Sequence, residues 1–392
     1  MALQKRCVMI VGDGFSRSFV NNLGLKEKIV TAQLFPPPKD VDIPWATLFE
    51  DYPEIVSDEE FTAQPVKYLF PLLWEAWETF NALHVTPELE HDTIAIERAF
   101  YDDMAATETI NTDFNKGLLS FKLPSPAAQL RAYLFYIFRY YDELVKEHLT
   151  NEHLNSWQWT RPFILLNELL SMTYISFNYD CILEMALHSF GYQTQLPAFR
   201  GSFGVVTPAR SRRVIKPHGS INYDFVLPSM IGGFSWRSNE SRTLTFKENM
   251  LKGSFVEVTE TPPKHPVMPD IVPPGHTLTD RLNPSFRLEQ EIEYFLSTAD
   301  LVILCGLSAS EPDTVEIDSY LSQLRIGTPV FHIGLTNDRD NPAGQLLDTH
   351  SGYNRTFIDV LKEDLYELPY LIIGGIKAAQ MNLNRSRPPG TS

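Results

Sequence analysis

Cysteine is scarce in this chain, and the few cysteines are scattered. Cys7, Cys181 and Cys305 are the three present among 392 residues, and no two of them form a Cys-x-x-Cys pair. A cysteine zinc ribbon needs thiolates in closely spaced pairs, so the sequence excludes one. Sparse cysteines within or beside apolar runs are typical of a reducing compartment, which predicts a cytoplasmic protein.

Basic residues are also in short supply relative to acidic ones. The chain has 33 lysines and arginines against 49 aspartates and glutamates, a formal net charge of −16. Nucleic acids and anionic membrane surfaces are bound through clustered positive charge, so we expect neither as a direct partner. No apolar run approaches the ~20 residues that span a bilayer. Residues 1–6 lead directly into an apolar stretch, which predicts that there is no signal peptide.

The most informative stretch is a glycine-containing turn near the start of the chain. Five apolar residues, Cys7–Val11, predict a strand buried on both faces of a parallel sheet. Gly12 and Gly14 follow at once, and Ser16 or Ser18 is expected to cap a helix whose N-terminus faces a phosphate. This order is typical of nucleotide-binding sheets, and the plainer alternative is a tight turn in an ordinary α/β domain.

The turn differs from the fingerprint of nicotinamide-dependent dehydrogenases in two ways. Arg17 stands where Gly-x-Gly-x-x-Gly has its third glycine. The acidic residue expected about 20 residues later falls near Pro36–Pro38, which a second strand cannot use. A dehydrogenase-type site is therefore not expected.

The following part of the chain is helical in its pattern. Apolar residues recur at three- and four-residue spacing over residues 66–80 and again over 130–145. Ser125–Pro126 favours a helix start just before the second of these stretches. We therefore interpret residues 35–160 as a large helical insertion.

Strand signals return after the insertion and alternate with helical patterns. The expected strands are 172–176, 214–215, 301–305 and 330–333, and the expected helices among them are 181–189 and 314–325. This alternation predicts an α/β fold, a Rossmann-like parallel sheet with helices on both faces. Residues 1–34 and 161–381 are expected to form that domain, with a proline-rich loop or flap at 228–285 and a flexible tail at 382–392.

Three further polar motifs follow predicted strands, where open α/β sheets bind their ligands. They are Ser176–Asp180, Lys216–Tyr223 and Gly306–Ser310. Each also has an ordinary structural explanation. Asp180 suits the N-cap of the following helix, Ser308 suits another helix cap, and His218 suits a hydrogen-bonded loop histidine.

Taken in order, these pieces resemble the sirtuin family, and in particular its prokaryotic sirtuin-like branch that acts in antiphage defence. The matching residues are Gly12-x-Gly14-Phe15-Ser16, Asn178-Tyr179-Asp180-x-x-Leu183-Glu184, His218-Gly219-Ser220-Ile221-Asn222 and Gly306-Leu307-Ser308. They lie in two blocks, 5–20 and 172–340, which cover about half of the chain.

The resemblance implies a sirtuin-like fold that binds NAD across the loop ends of the sheet. Asn178 matches the family asparagine that holds the nicotinamide ribose or a water, and His218 matches the family base. The other implied NAD contacts are Gly12, Gly14 and Ser16 at the pyrophosphate, Gly306 and Ser308 at the adenosine side, and Asp13, Phe15, Arg17, Asp180 and Gly219 as further binding positions.

Three departures from the family bear on the reaction. Asp13 replaces the usual alanine and puts a carboxylate next to two phosphates, and Phe177 replaces a polar residue before the asparagine. The four-cysteine zinc ribbon of deacetylating sirtuins is absent, and the helical insertion occupies its place, which points away from deacetylation. Water then becomes the nucleophile, and the implied reaction is hydrolysis of NAD to nicotinamide and ADP-ribose without zinc.

Two other functions stay open at this point. One is a catalytically silent module that binds NAD or ADP-ribose and regulates a partner, which Asp13 and Phe177 favour. The other is NAD-dependent protein deacylation or ADP-ribosyl transfer. An enzyme that depletes NAD must be held inactive until triggered, so we expect a homo-oligomer or a HerA-type ATPase partner. Trp157 and Trp159 are either contacts for such a partner or part of the core.

The dispersed cysteines generate a first prediction, that the purified protein contains no structural zinc. Elemental analysis should find far less than stoichiometric zinc, and a chelator should leave the melting temperature unchanged. Stoichiometric zinc that is lost together with the fold on chelation would contradict this reading.

Overall fold

A computed structural model describes this chain over residues 4–29, 35, 43–50, 53–85, 96–97, 99–101, 103–104, 126–195, 211–225, 255–257, 269–272, 286–307, 311–334, 345, 354–359 and 365–375. The strands and helices given below belong to these residues.

A seven-stranded parallel sheet forms the centre of the fold. Its strands are β1 Arg6–Val11, β2 Ser171–Ser176, β3 Gln193–Gln195, β4 Ser211–Ile215, β8 Leu301–Cys305, β9 Pro329–Gly334 and β10 Asn354–Asp359. Their order across the sheet is β10-β9-β8-β1-β2-β4-β3, and every neighbouring pair is parallel. The four strands predicted after the insertion are confirmed as β2, β4, β8 and β9. The two outermost strands had not been predicted, and β3 is a short polar edge strand without an apolar signal.

Helices cover both faces of this sheet, as the alternating pattern predicted. Along β1, Cys7, Met9 and Val11 join one hydrophobic cluster, whereas Val8 and Ile10 join the other. This alternation follows from the two-residue repeat of a strand, and it explains why the whole run is apolar. The central strand is therefore buried on both sides.

A series of helices lies between β1 and β2, in the part of the chain where the helical insertion over residues 35–160 was predicted. After α1 Asp13–Asn22 come α2 Trp45–Leu48, α3 Pro53–Val56, α4 Glu59–Ala63, α5 Pro65–Leu69, α6 Pro71–His84, α7 Pro126–His148, α8 Asn151–Ser156 and α9 Thr160–Leu169. The later helices are α10 Ile182–Ser189, α11 Phe286–Thr298 and α12 Glu311–Ser322, and the chain ends its described part with a 3-10 turn Leu365–Glu367 and a helix over 368–375. The domain boundaries stay predictions, and the one at 160/161 falls at the start of α9.

The periodic stretch over residues 66–80 is two helices rather than one. Phe70 separates α5 from α6 with φ −129° and ψ 58°. Pro71 is the reason, because proline pushes the residue before it out of the helical region. The apolar spacing continues across this break and does not reveal it.

The insertion shares its hydrophobic core with the sheet. Trp157 and Trp159, which were candidate partner contacts, are only 2% and 3% exposed. The Trp157 ring packs edge-on against Phe15 at 5.3 Å and Phe19 at 4.8 Å, both on α1. These tryptophans therefore belong to the core and do not present a surface to a partner.

A second, three-stranded antiparallel sheet lies beside the first. Its strands are β5 Gly219–Phe225, β6 Phe255–Glu257 and β7 Pro269–Ile271, in the order β6-β5-β7. The polar motif 216–223, which we expected to lie in the loop after a predicted strand, is therefore itself a strand from Gly219 onward. Two short strands also lie within the predicted loop or flap at 228–285. Apart from Val272, the rest of that segment lies outside the described residues, as does the predicted tail at 382–392. Within the described ranges, no helix is both long and apolar enough to cross a membrane.

The turns after β1 and β8 approach each other so closely that they require glycine. Gly12 N–H donates to the Cys305 carbonyl and Gly14 N–H to the Gly306 carbonyl, both at 2.9 Å. A Cβ on Gly306 would lie 2.5 Å from the Phe15 nitrogen and 2.8 Å from the Gly14 carbonyl carbon, and Gly306 has φ +63°. The two turns thus meet backbone to backbone, which places the Gly12 turn against the end of β8.

This contact generates a second prediction, a difference between two glycine-to-alanine substitutions. Gly24 has a similar φ of +71° but nothing within 4 Å of its would-be Cβ. Gly24→Ala should lower the free energy of unfolding by about 1–2 kcal/mol, because an L-residue is strained there. Gly306→Ala should lower it by roughly 1–3 kcal/mol more, because the methyl group also overlaps backbone. Equal losses in chemical denaturation would show that the two turns do not pack as described.

Candidate functional site

The first part of the site is the turn between β1 and α1. The helix begins at Asp13 with Gly12 as its N-cap, and no side chain caps it. Ser16, expected as a possible cap, lies inside the helix, so that expectation was wrong for Ser16 and for Ser18. The N–H groups of Gly14 and Phe15 donate to the carbonyls of Gly306 and Gly12. Because these N–H groups already have acceptors, an anion at this turn would be attracted mainly by the positive end of the α1 dipole.

Asp13 forms an ion pair with Arg17, one helical turn later on α1. Both side chains are partly exposed, at 26% for Asp13 and 46% for Arg17. The guanidinium compensates the carboxylate that the sequence placed next to the implied phosphates. The negative charge of Asp13, which stands where the family pattern has alanine, is thus balanced by the positive charge of Arg17.

Asn178 ties the end of β2 to the glycine turn. Its Nδ2 donates to the Gly12 carbonyl at 3.0 Å and to the Ser16 hydroxyl at 2.9 Å. A carbonyl oxygen only accepts, so the contact with Gly12 determines which end of the amide is the nitrogen. Asn178 Oδ1 makes no hydrogen bond to another described residue, which leaves an acceptor at the strand end.

Asp180 continues this network two residues before the next helix. Its Oδ1 accepts hydrogen bonds from the Ile182 N–H at 3.0 Å and from the Ser16 hydroxyl at 3.1 Å. The prediction of Asp180 as the N-cap was wrong by one residue, because Cys181 directly precedes α10 and caps it with no side chain. The Asp180 carboxylate instead accepts the N–H of Ile182, the first residue of the helix, from one position further back. Ser16 donates to Asp180 and accepts from Asn178, so one buried hydroxyl joins α1 to the loop after β2.

His218 lies at the start of the second sheet, with its imidazole held on two sides. Its Nε2 is 3.0 Å from Glu316 Oε2 on α12, and the Phe177 ring meets it edge-on at 5.0 Å. Gly219 follows with φ +82°, and its N–H donates to the Lys216 carbonyl, which closes the turn that presents the histidine. Since Phe177 is adjacent to Asn178, the two predicted catalytic residues lie on neighbouring parts of the site.

Lys216 is completely buried just before this turn. Its ammonium group contacts Glu184 Oε1 at 2.8 Å, the Ser220 hydroxyl at 3.0 Å and the Asp180 carbonyl. Asp142 on α7 lies nearby and accepts the Cys181 N–H at 3.1 and 3.2 Å. Sequence reasoning assigned no role to these charged residues. Lys216 and Glu184 lie in two separate motifs that do not reveal their contact, and Asp142 and Glu316 lie outside every motif, because they meet their partners only through the packing of distant segments.

Burial raises the pKa of two carboxyl groups in this cluster. It raises the pKa of Asp142 to about 7, with the neighbouring Asp180 charge raising it further and Lys216 opposing the shift. It raises the pKa of Asp180 to about 6, opposed by Lys216, the Ile182 N–H and the Ser16 hydroxyl. The protonation of the loop after β2 therefore changes near neutral pH.

The structure brings most of the predicted site residues together at the carboxyl ends of the strands. Residues linked there by the contacts above are Gly12, Asp13, Gly14, Phe15, Ser16, Arg17, Asn178, Asp180, His218, Gly219 and Gly306. Phe15 differs from the rest, because its side chain is buried against Trp157 and does not face the turn's open side. Ser308 lies outside the described residues. Across the described part of the chain, no group of three histidine, cysteine or acidic side chains is placed to hold a metal ion.

Comparison with known proteins gives a distant structural likeness. No family model and no curated protein matches the chain. A structure from a study of the mechanism and regulation of Sir2 enzymes matches at 13% identity over 96% of this chain and 94% of that chain, with a TM-score of 0.30. A mutant Sir2 homologue in complex with ADP ribose matches at 14% identity over 96% of this chain and 94% of that chain, with a TM-score of 0.32. A Sir2 homologue in complex with NAD matches at 14% identity over 63% of this chain and 73% of that chain, with a TM-score of 0.29. Likeness at this level does not bear on function, which has to be argued from the geometry of the site.

The buried carboxyl groups generate a third prediction, on stability against pH. An unfolded aspartate ionises near pH 4, whereas Asp142 in the folded protein stays protonated up to about pH 7. Stability should therefore fall as the pH rises across this window and level off above it. Asp142→Asn cannot ionise, so its stability relative to the wild type should rise by roughly 1–3 kcal/mol between about pH 5 and pH 8.

The control for this experiment is Glu147→Gln, which makes the same charge change on an exposed position of α7. Its stability should follow the wild-type pH dependence in urea unfolding. Parallel curves for Asp142→Asn and the wild type between about pH 5 and pH 8 would show that Asp142 does not titrate in this window.

Proposed function

We propose that this chain hydrolyses NAD to nicotinamide and ADP-ribose in a sirtuin-like site. The observation that carries the proposal is the Asn178 amide, which joins the Gly12 carbonyl and Ser16 while its neighbour Phe177 contacts the His218 ring. An asparagine, a glycine turn at a helix N-terminus and a histidine thus converge at one edge of the parallel sheet. Ligands bind at this edge in open α/β sheets.

The proposed reaction needs little from the protein beyond placement and one base. A water oxygen forms a bond to C1′ of the nicotinamide ribose while the bond from C1′ to the pyridinium nitrogen breaks. The electron pair of that bond goes to the nitrogen, so nicotinamide leaves neutral and needs no proton. The water proton passes to His218 and then to solvent. The transition state resembles an oxocarbenium ion, as in glycoside hydrolysis.

The proposed roles follow from the contacts of each residue. Asn178 presents Oδ1 to the ribose or the water, since its Nδ2 is held by Gly12 and Ser16. The positive end of α1, with Arg17 nearby, attracts the pyrophosphate. Gly306 and Ser308 are assigned to the adenosine side, and Asp180 acts by holding Ser16.

Water is favoured over an acyl-lysine as the nucleophile. Phe177 lies between His218 and Tyr320 of α12, with ring centroids 5.0 Å and 6.1 Å away. These aromatic side chains reduce the room beside the histidine, which supports a small nucleophile such as water. This packing favours hydrolysis over NAD-dependent deacylation.

We further propose that the activity serves antiphage defence by depleting NAD in the cytoplasm. Such an activity must be restrained, so control through a homo-oligomer or a HerA-type ATPase is part of this proposal. The acidic balance of the chain, −16 in all, supports protein partners over nucleic acid or anionic membranes.

The fourth prediction tests the reaction itself. Purified protein mixed with NAD should release nicotinamide, and His218→Ala should lower the rate by about 10²–10⁴-fold, the usual loss for a positioned base. The matched control is His188→Ala, which removes an exposed histidine at the far end of α10. It should keep the wild-type rate, and both variants should melt near the wild-type temperature.

The other outcomes separate the rival functions. Undiminished nicotinamide release by folded His218→Ala would remove the histidine from the mechanism. NAD binding without any nicotinamide release, with and without the ATPase, would indicate a silent binding module. Release that depends on an acylated peptide would indicate a deacylase.

A further inference from the structure

A carboxylate on α12 faces the imidazole of His218. We propose that Glu316 is a positioning residue that holds His218 with its Nε2 protonated, so that Nδ1 is the nitrogen that accepts the proton from water. This inference rests on the proposed NAD hydrolysis. Glu316 belongs to none of the sequence motifs described above.

The geometry of the pair supports a directed interaction. Glu316 Oε2 lies 3.0 Å from His218 Nε2, within the range of a charge-assisted hydrogen bond. The two side chains are only 14% and 11% exposed, so water competes weakly for either partner. The edge-on Phe177 ring, at an interplanar angle of 84°, limits rotation of the imidazole from another side.

The backbone of α12 is held firmly enough to place this carboxylate. Ile317, Tyr320 and Leu321 are buried in the cluster that also contains Val302 and Leu304 of β8. Glu316 and Tyr320 are four residues apart and so share one side of the helix. Since Tyr320 packs toward Phe177, Glu316 reaches the same part of the site.

The contact with Glu316 determines which ring nitrogen of His218 carries the proton. A carboxylate only accepts, so Nε2 must donate to it, and the neutral ring then carries its lone pair on Nδ1. When Nδ1 takes the proton from the attacking water, the imidazolium that forms lies beside a negative charge. The carboxylate therefore orients the ring and stabilises the state that catalysis produces, without itself touching NAD.

The experiment compares Glu316→Gln with Asp318→Asn, a charge-matched change on an exposed position of the same helix. Both are prepared with ¹⁵N-labelled histidine, and the His218 signals among the ten histidines are identified by their absence in His218→Ala. Imidazole nitrogen shifts then report which ring nitrogen carries the proton, at a pH where the ring is neutral. A residue that served stability alone would leave this tautomer unchanged.

We expect the wild type and Asp318→Asn to show His218 protonated at Nε2. Glu316→Gln should show a mixture of tautomers, because an amide can donate to Nε2 as well as accept from it. Its kcat for nicotinamide release should fall about 10–100-fold, with little change in the KM for NAD. The melting temperature should stay near that of the wild type.

Two results would overturn the inference. One is a wild-type ring protonated at Nδ1, and the other is a Glu316→Gln variant with the wild-type tautomer and the wild-type kcat. The nitrogen shifts do not depend on activity. If the wild type released no nicotinamide at all, the proposed function would fail, while the shifts would still decide whether Glu316 sets the His218 tautomer.

Discussion

A lysine ammonium group buried away from all solvent is the constraint on which the rest of the site depends. Lys216 is 0% exposed, and its charge is met by Glu184, Ser220 and the carbonyl of Asp180. A buried charge without partners costs several kcal/mol, so these groups have to stay in place. Because they come from β5, from α10 and from the loop after β2, one ammonium group holds three segments of the site together.

The helical insertion is coupled to this same cluster. Asp142 on α7 accepts the backbone N–H of Cys181, and Arg131 on the same helix donates to the Ile271 carbonyl of β7. Trp157 completes the connection by packing on Phe15 and Phe19 of α1. A partner that moved the insertion would therefore act directly on the loop that carries Asn178. This coupling offers a physical route for controlling the NAD hydrolysis that we propose.

Much of the fold could be predicted because buried elements require apolar residues in a recognisable pattern over a short stretch of sequence. The apolar run Cys7–Val11 is the central strand, and Pro126 begins the long helix α7. Predictions failed where the local pattern had two solutions. The spacing over 66–80 is the same for one helix or two, and the polar β3 looks like a loop because an edge strand needs no apolar side chains. The strand beginning at Gly219 was missed for a related reason, since its pairing partners β6 and β7 lie far along the chain.

The sequence by itself determined the parallel sheet, the glycine turn after its central strand, and the candidates Asn178 and His218. The sheet and the turn follow from residue type and spacing over short stretches, where strand periodicity and turn chemistry are decisive. The two candidates follow from the resemblance of their motifs to the sirtuin family. Only the tertiary structure decided what those residues touch. Glu316 contacts His218 although the two residues are 98 positions apart in the sequence. Ser16 does not cap a helix but hydrogen-bonds to both Asn178 and Asp180. Lys216 is buried in contact with Glu184. Such contacts depend on how distant segments of the chain pack, and they produce no local sequence pattern from which the contacting residues could be predicted.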